Sequence, residues 1–371
     1  MLSGDSSIAQ GQQGAFYEML RRFAPYWARV DILTPRGDSA QARTLHDNVC
    51  VHPSPWHRAL QPLFIRQQGG RLLAERGYGL VVSHDFGFFY NGIGACWLLH
   101  DRNLALPLVS EIHHVEGYPQ AVTWREKAWR AAAMRYLPFV GRRAAAIRVV
   151  NQREVPDLLR RLGIPDEKIR VLPSLYLDLS VFRPADSHIC YDVLFVGRLA
   201  ANKGVLTLLQ AVQQVQQTHP QVKLAIRGAG PLRAQIEQFM QAHGLTQNVQ
   251  FLPRADTAQD MAQLYRQAKM LVCASTVEGN PRVTIEAMAC TVPVISTPVG
   301  VMPDVLRDGD NGYLFQWDAD ELAAKIRTLL DDEALRVRMG KAGRDAVQRF
   351  EADAMIRQYA LAYHEIAAND D

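Results

Sequence analysis

The chain is poor in the features that most quickly sort a sequence into a class. Its five cysteines, Cys50, Cys96, Cys190, Cys273 and Cys290, are odd in number and widely spaced, with no CxxC pair. That argues against a disulfide framework or a zinc site and predicts buried thiols in a reducing cytosol. No uninterrupted apolar run approaches the roughly 18 residues of a membrane span, and the polar start MLSGDSSIAQ does not read as a secretion signal. Repeats and low-complexity tracts are also missing. Net charge is only +3 over 371 residues, and no nucleic-acid partner is expected.

What is present fits a soluble globular enzyme: 48% hydrophobic and 21% charged residues, in a chain long enough for two domains. The charge is uneven. Up to Pro184 there are 23 Lys and Arg against 16 Asp and Glu, whereas the remainder is net negative. A basic face on the first half would suit an anionic partner.

Short β-rich apolar runs alternate with helical patterns from end to end. The first half offers RVDILTP, GLVVSHD, LPLVSEIHH, AAIRVV and KIRVLP; the second offers YDVLFVG, VKLAIRG, VQFLP, MLVCAS and VPVIST. Such alternation predicts parallel sheets covered on both faces, hence two Rossmann-like, doubly wound α/β domains facing a central cleft. The polar, Pro-containing run 181–192 marks the linker. The expected division is 1–184, 185–350 and a closing helical segment 351–371 that can pack back on the first domain. Only Met1 and Leu2 precede the first Gly-containing loop, too few for a strand of about five or six residues. The first strand is therefore expected to be truncated, with Met1 internal to a longer natural chain.

Two stretches of the second half carry chemistry. In EGNPRVTIEA (278–287), Asn280 is a good helix N-cap and Pro281 suits the first helical position. Glu278 then faces the helix N-terminus and Glu286 lies inside the helix. Capping plus a solvated glutamate explains this as well as a pocket for hydroxyls and phosphates does. In FVGRLAANKG, Arg198 and Lys203 follow a strand and precede a helix, an arrangement suited to a diphosphate or to a solvated loop. RGAGPL lacks the third glycine of a dinucleotide loop, and no acid follows at the required distance, so a nicotinamide site is rejected.

The order strand–GRLAANKG–helix, RGAGPL, EGNPRVTIEAMACTVPVIST and VGVMPDVLRDGDNGYLF resembles family 4 glycosyltransferases of the GT-B fold. VVNQREVPDLLRRLGIPDEKIRVLPS (149–174) extends the likeness into the first half. The resemblance implies a retaining transfer from a UDP- or GDP-sugar, with no cofactor and no obligatory metal. It implies that Glu278 lies by the donor sugar, that Glu286 holds the ribose hydroxyls, and that Arg198 and Lys203 bind the diphosphate. Gly197, Gly228, Gly279, Arg282 and Val283 complete the implied donor site. Arg282 departs from the neutral residue common there, and either contacts phosphate or lies on the helix surface. Gly300 matches a family loop residue, while Val301, Asp304 and Thr291 stand where Gly, Glu and Gly are common. VLPSLYLDL lacks the usual Asn-Gly.

In the first half the resemblance assigns Gly11 and Gly14 to an acceptor-side loop, and His113 to the strand-end histidine that points at the reacting sugar. His84 and His114 are acceptor-side neighbours. Adjacent strand residues alternate in direction, so one of His113 and His114 is expected to face the site. Residues 124–148 hold seven Lys and Arg against one acid, among Trp124, Trp129, Tyr136 and Phe139. This is either a peripheral contact with anionic lipid or a helix covering the sheet with solvated arginines.

The reading is a glycosyltransferase acting on a glycan or lipid-linked acceptor hydroxyl in envelope or polysaccharide synthesis. It would be cytoplasmic, or peripheral at the inner membrane face. Its catalytic residues would be His113, Glu278, Arg198 and Lys203. The alternatives are a GT-B-like subunit that binds glycan or nucleotide sugar without turnover, and a sugar-nucleotide epimerase of similar fold.

Overall fold

The computed structural model describes residues 1–85, 89–102, 104–255 and 257–368. The chain divides into two compact units. Unit 1 comprises Met1–Glu116, Ala128–Tyr176 and Asp353–Asp371, and unit 2 comprises Gly117–Lys127 and Leu177–Ala352. Between the two sheets the chain passes from unit 1 to unit 2 at Tyr176/Leu177, shortly before the polar run 181–192.

Unit 1 is built on β1 (Val30–Thr34), β2 (Arg43–Leu45), β3 (Val49–Pro53), β4 (Val81–His84), β5 (Leu108–Ile112), β6 (Ala146–Val149) and β7 (Ile169–Val171). Hydrogen-bonded neighbours run β1-β3-β2 and β4-β5-β6-β7. The strand expected to be missing is present in miniature. Leu2 bridges Leu33 on one side and Ser83 on the other, both in parallel. The Leu2 amide donates to the Val82 carbonyl at 2.7 Å, and the His84 amide donates to the Leu2 carbonyl at 2.9 Å. Three residues thus join both sets of strands into one sheet.

The closing helix Ala352–Ala368 puts Ile356, Tyr359, Ala360, Tyr363 and Ile366 into the core of unit 1, beside Leu20, Phe23, Ile32 and Val109. Their spacing follows one face of a helix. The Phe23 and Tyr359 rings stack at 4.8 Å.

Unit 2 carries β8 (Tyr191–Val196), β9 (Leu224–Arg227), β10 (Val249–Leu252), β11 (Ala268–Cys273), β12 (Val294–Ser296) and β13 (Tyr313–Leu314). All pair in parallel in the order β10-β9-β8-β11-β12-β13. This is the doubly wound order that reverses between its first and fourth strands. Strands covered on both faces become continuous apolar runs, and Val193, Leu194, Phe195, Met270, Leu271 and Val272 are all buried. Of the cysteines, Cys96, Cys273 and Cys290 are buried as expected, but Cys50 and Cys190 are half-buried.

Gly204 fixes the path out of β8. It ends the short turn Ala201–Lys203 at φ +63° and opens the helix Val205–Gln216. A Cβ there would lie 2.0 Å from the Ala274 carbonyl oxygen. Gly204→Ala should therefore destabilise the protein by about 1–3 kcal/mol from backbone strain alone. Chemical denaturation of the purified variant measures this, and an unchanged midpoint would mean that the turn relaxes freely.

Candidate functional site

The candidate donor residues of unit 2 gather at the carboxyl ends of β8, β9, β11 and β12. Gly197 and Arg198 leave β8, and Gly228 leaves β9 so closely that a Cβ on it would lie 1.8 Å from the Gly197 carbonyl oxygen. The Thr276 amide donates to the Asn202 carbonyl at 2.9 Å, tying the loop after β11 to the turn that carries Lys203. The Val301 amide donates to the Gly279 carbonyl at 3.1 Å, and Gly300 adopts φ +56°, where a Cβ would lie 2.1 Å from the Gly279 carbonyl oxygen. Loops from four parallel strands therefore converge where the strand order reverses, the ordinary position of a ligand crevice in such sheets.

Lys203 and Glu278 form a direct ion pair, each side chain mostly withdrawn from solvent. The Ser275 hydroxyl donates to the same Glu278 oxygen at 2.8 Å, and the Trp317 indole N–H and the Thr297 hydroxyl both hold the Ser275 carbonyl. Arg198 is exposed, and its guanidinium makes no ion pair with the described residues.

Glu286 is buried in the helix Arg282–Ala289. It accepts from the Tyr265 hydroxyl at 2.7 Å on one oxygen and from Arg282 Nε at 2.6 Å on the other. Burial, followed by the Glu286 charge, pushes the Tyr265 hydroxyl well above its ordinary pKa, so it stays a donor. Each carboxylate oxygen keeps a further acceptor position. Arg282 is thus neither unattached surface nor committed to a phosphate, because it is clamped to Glu286 and half exposed. The helix begins one residue later than expected: Pro281, not Asn280, occupies the cap position, and no side chain caps it. Val283 lies half-buried in the first turn, where backbone N–H groups lack partners within the helix. Thr276 Oγ1, Asn280 Oδ1 and Arg227 Nε are buried without hydrogen-bond partners.

In unit 1, Gly11 ends a short turn at φ +79° and Gly14 precedes the helix Ala15–Phe23. Phe16 of that helix meets His84 edge-on, with ring centroids 5.7 Å apart. His84 ends β4, and its ring centroid lies 6.5 Å from that of His113, just beyond β5. The two neighbouring histidines, both just past the end of β5, meet different carboxylates. His113 Nε2 lies 3.2 Å from Glu111, whereas His114 Nε2 lies 3.7 Å from Glu116.

Glu111 was not singled out from the sequence, and it organises this region. One of its oxygens takes the hydroxyls of Tyr359 and Tyr363, each at 2.5 Å, and Arg148 Nη1 at 3.0 Å. Its other oxygen lies 3.2 Å from His113 Nε2 and 3.5 Å from His84 Nε2. Burial alone would raise the Glu111 pKa, but Arg148, His84 and His113 together hold it well below the ordinary carboxylate range. Burial lowers His84 to about 4, so it is neutral at physiological pH. Next along the chain, Asp85 is buried and its pKa raised to about 6, mainly by desolvation. It accepts from the hydroxyls of Ser83 at 2.9 Å, Ser110 at 2.5 Å and Tyr136 at 2.7 Å. The signal for Glu111 was available: it and Arg148 are opposite charges within otherwise apolar strands, and they are register partners in β5 and β6.

Comparison with known proteins covers both halves of the chain. Residues 10–174 match the family model "Glycosyltransferase Family 4", and residues 190–346 match "Glycosyl transferases group 1". The D-inositol 3-phosphate glycosyltransferase of Segniliparus rotundus is 32% identical over 308 residues, covering 77% of this chain and 66% of that protein. The N-acetyl-alpha-D-glucosaminyl L-malate synthase of Bacillus anthracis is 32% identical over 170 residues, 45% of this chain and 44% of that one. The chain thus spans just under two thirds of the first relative's length and less than half of the second's. Among solved structures, the sucrose-phosphate synthase of Thermosynechococcus elongatus superposes over 99% of this chain and 94% of its own, with TM-score 0.81 and 23% identity. The fold is GT-B, and the chain belongs to the family 4 glycosyltransferases.

Proposed function

We propose that the protein transfers a sugar from a UDP- or GDP-sugar to an acceptor hydroxyl, with retention at the anomeric carbon. The observation that carries this reading is the convergence of Lys203, Glu278 and Glu286 at the switch point of a parallel sheet, with Arg198 open beside them. Glu286 would grip paired ribose hydroxyls, since an ionised carboxylate is an acceptor only. Arg198 and Lys203 would face the diphosphate, together with the N-terminus of the helix Arg282–Ala289. By the family resemblance, Glu278 would lie by the donor sugar and His113 would point at the reacting sugar.

In the transfer step the acceptor oxygen bonds to the anomeric carbon as the bond to the diphosphate oxygen breaks. The acceptor proton passes to the departing phosphate on the same face, and positive character develops on the sugar ring. The two cations stabilise charge that appears on the leaving group, and such stabilisation grows as water is excluded. No obligatory metal or cofactor is part of this reading.

The relatives' acceptors differ, and the acceptor proposed here is a glycan or lipid-linked hydroxyl in envelope or polysaccharide synthesis. Among the described residues no helix is long and apolar enough to cross a membrane. Peripheral contact with the inner membrane face is proposed instead through the helix Trp124–Arg143. Trp124 is 74% exposed, with the Arg125 guanidinium over its ring at 5.5 Å, and Arg135, Arg142 and Arg143 are also exposed. Two members of the 124–148 stretch do not belong to that surface: Tyr136 is buried on Asp85, and Arg148 on Glu111.

Arg198→Ala should lose a charge-assisted contact worth roughly 1.5–3 kcal/mol, slowing turnover by about ten- to a hundredfold. Steady-state assay of the folded variant checks this, and normal turnover would remove Arg198 from the diphosphate site.

Glu286→Gln replaces an acceptor oxygen by a donor and should weaken binding of the free nucleoside diphosphate. Calorimetry measures it, and equal affinity would reduce Glu286 to a support for Tyr265 and Arg282.

Binding to anionic vesicles should weaken steeply with salt and fall further when Arg125, Arg135 and Arg142 are replaced by Gln, each worth about 1 kcal/mol near the surface. Vesicle co-sedimentation reads this out, and a wild-type protein that ignores such vesicles at low salt would point to a soluble acceptor.

A further inference from the structure

We propose that Glu111 is a positioning residue for His113, and that Tyr359 and Tyr363 of the closing helix are part of the same device. The proposal rests on the reading that His113 meets the reacting sugar. It adds what fixes that imidazole, and it gives the last helix of the chain a role in the site.

The two oxygens of this buried carboxylate are occupied differently. Glu111 is 1% exposed. The oxygen facing Arg148, Tyr359 and Tyr363 receives three donors at 2.5–3.0 Å. An ionised carboxylate has no proton to give, so all three donate to that oxygen, which is fully engaged and holds the carboxyl plane. The second oxygen is thereby aimed at His113 Nε2, 3.2 Å away. A carboxylate only accepts, so the proton of a neutral His113 must sit on Nε2. Nδ1 is left as the lone pair. That tautomer offers an acceptor to a sugar hydroxyl, whereas the opposite tautomer would offer a donor. Choosing the tautomer through the far nitrogen is how an imidazole is ordinarily set for its task.

The tyrosines make the arrangement more than a salt bridge within a sheet. Arg148 is already fastened elsewhere, with Nε on the Leu172 carbonyl at 3.0 Å and its guanidinium carbon 4.0 Å from the centre of the Tyr359 ring. Tyr359 and Tyr363 come from a helix nearly 250 residues further along the chain than Glu111. They lie one helical turn apart, so both hydroxyls reach one oxygen from the same face. A helix serving only to cover the sheet would need the rings and not the two hydroxyls.

Glu111→Gln gives a sharp test. Arg148 and the tyrosines all demand an acceptor, so the amide oxygen would take their side and turn the NH2 toward the imidazoles. His113 would then have to accept at Nε2, moving its proton to Nδ1. In 15N-histidine NMR spectra, with the His113 signal identified by its loss in His113→Asn, wild type should show the Nε2–H tautomer and Glu111→Gln the Nδ1–H tautomer. Turnover should fall on the order of ten- to a hundredfold with donor KM unchanged. Tyr359→Phe with Tyr363→Phe keeps the rings and should give a mixture of tautomers with an intermediate loss, which keeps the test available if Glu111→Gln does not fold. An unchanged His113 tautomer and kcat in the folded variants would overturn the proposal and leave Glu111 a fold-stabilising charge. If His113→Ala instead retained full turnover, the sugar-facing reading of His113 would fail, and the tautomer measurement would still decide whether Glu111 sets the imidazole.

Discussion

In a parallel sheet each crossover must return the chain to the same end, and helices fill both faces, so a ligand meets the sheet at the loops beyond its strand ends. Where the strand order reverses, the two adjoining loops leave in opposite directions and a crevice opens between them. In unit 2 this happens between β8 and β11. That single constraint explains why Lys203, which follows β8, touches Glu278, which follows β11, although 75 residues separate them. The helix carrying Glu286 starts from the same crevice. With Lys203 paired to Glu278, the exposed Arg198 and the N-terminus of that helix are positive groups left at this end of the sheet.

The two units handle buried charge differently. In unit 2, Glu286 is anchored at both oxygens but retains acceptor capacity, and Arg282 remains half exposed. Lys203 and Glu278 partner each other, so a ligand entering there would meet groups that are already held in place. In unit 1, Glu111 and Arg148 are a fully buried pair. Such a pair contributes little net stability compared with an apolar replacement, yet removing one partner strands the other at a cost of about 3–5 kcal/mol. Its presence within the sheet fits the groups that Glu111 holds better than it fits a gain in stability.

Much of the fold was legible because parallel strands buried on both faces spell themselves as apolar runs, as in VVSH, LVSEI and MLVC. The hairpin between β2 and β3 was not. Its turn uses His46 and Asp47 at φ +48° and +62°, without the glycine that usually signals such a turn. The pairing of Leu2 was hidden by brevity, because three residues cannot show a period. At the site, Glu278, Arg198 and Lys203 drew attention because each sits beside a strand end or helix start, whereas the roles given to them, and to Glu286 inside its helix, came from the family resemblance. The clamp of Arg282 on Glu286 followed helical i, i+4 spacing and was available in principle. The tyrosines of the closing helix were not available, since nothing local in QYALAYHE points to a carboxylate in β5.

The most direct test of the account is to follow the reaction itself. Purified protein, a set of UDP- and GDP-sugars and an envelope lipid or glycan extract would be monitored by phosphorus NMR for free nucleoside diphosphate, and by proton NMR for the new anomeric linkage. The account predicts diphosphate release that requires the extract, and a product with the anomeric configuration of the donor. Conversion of one nucleotide sugar into another without acceptor, or binding with no release under any pairing, would contradict it.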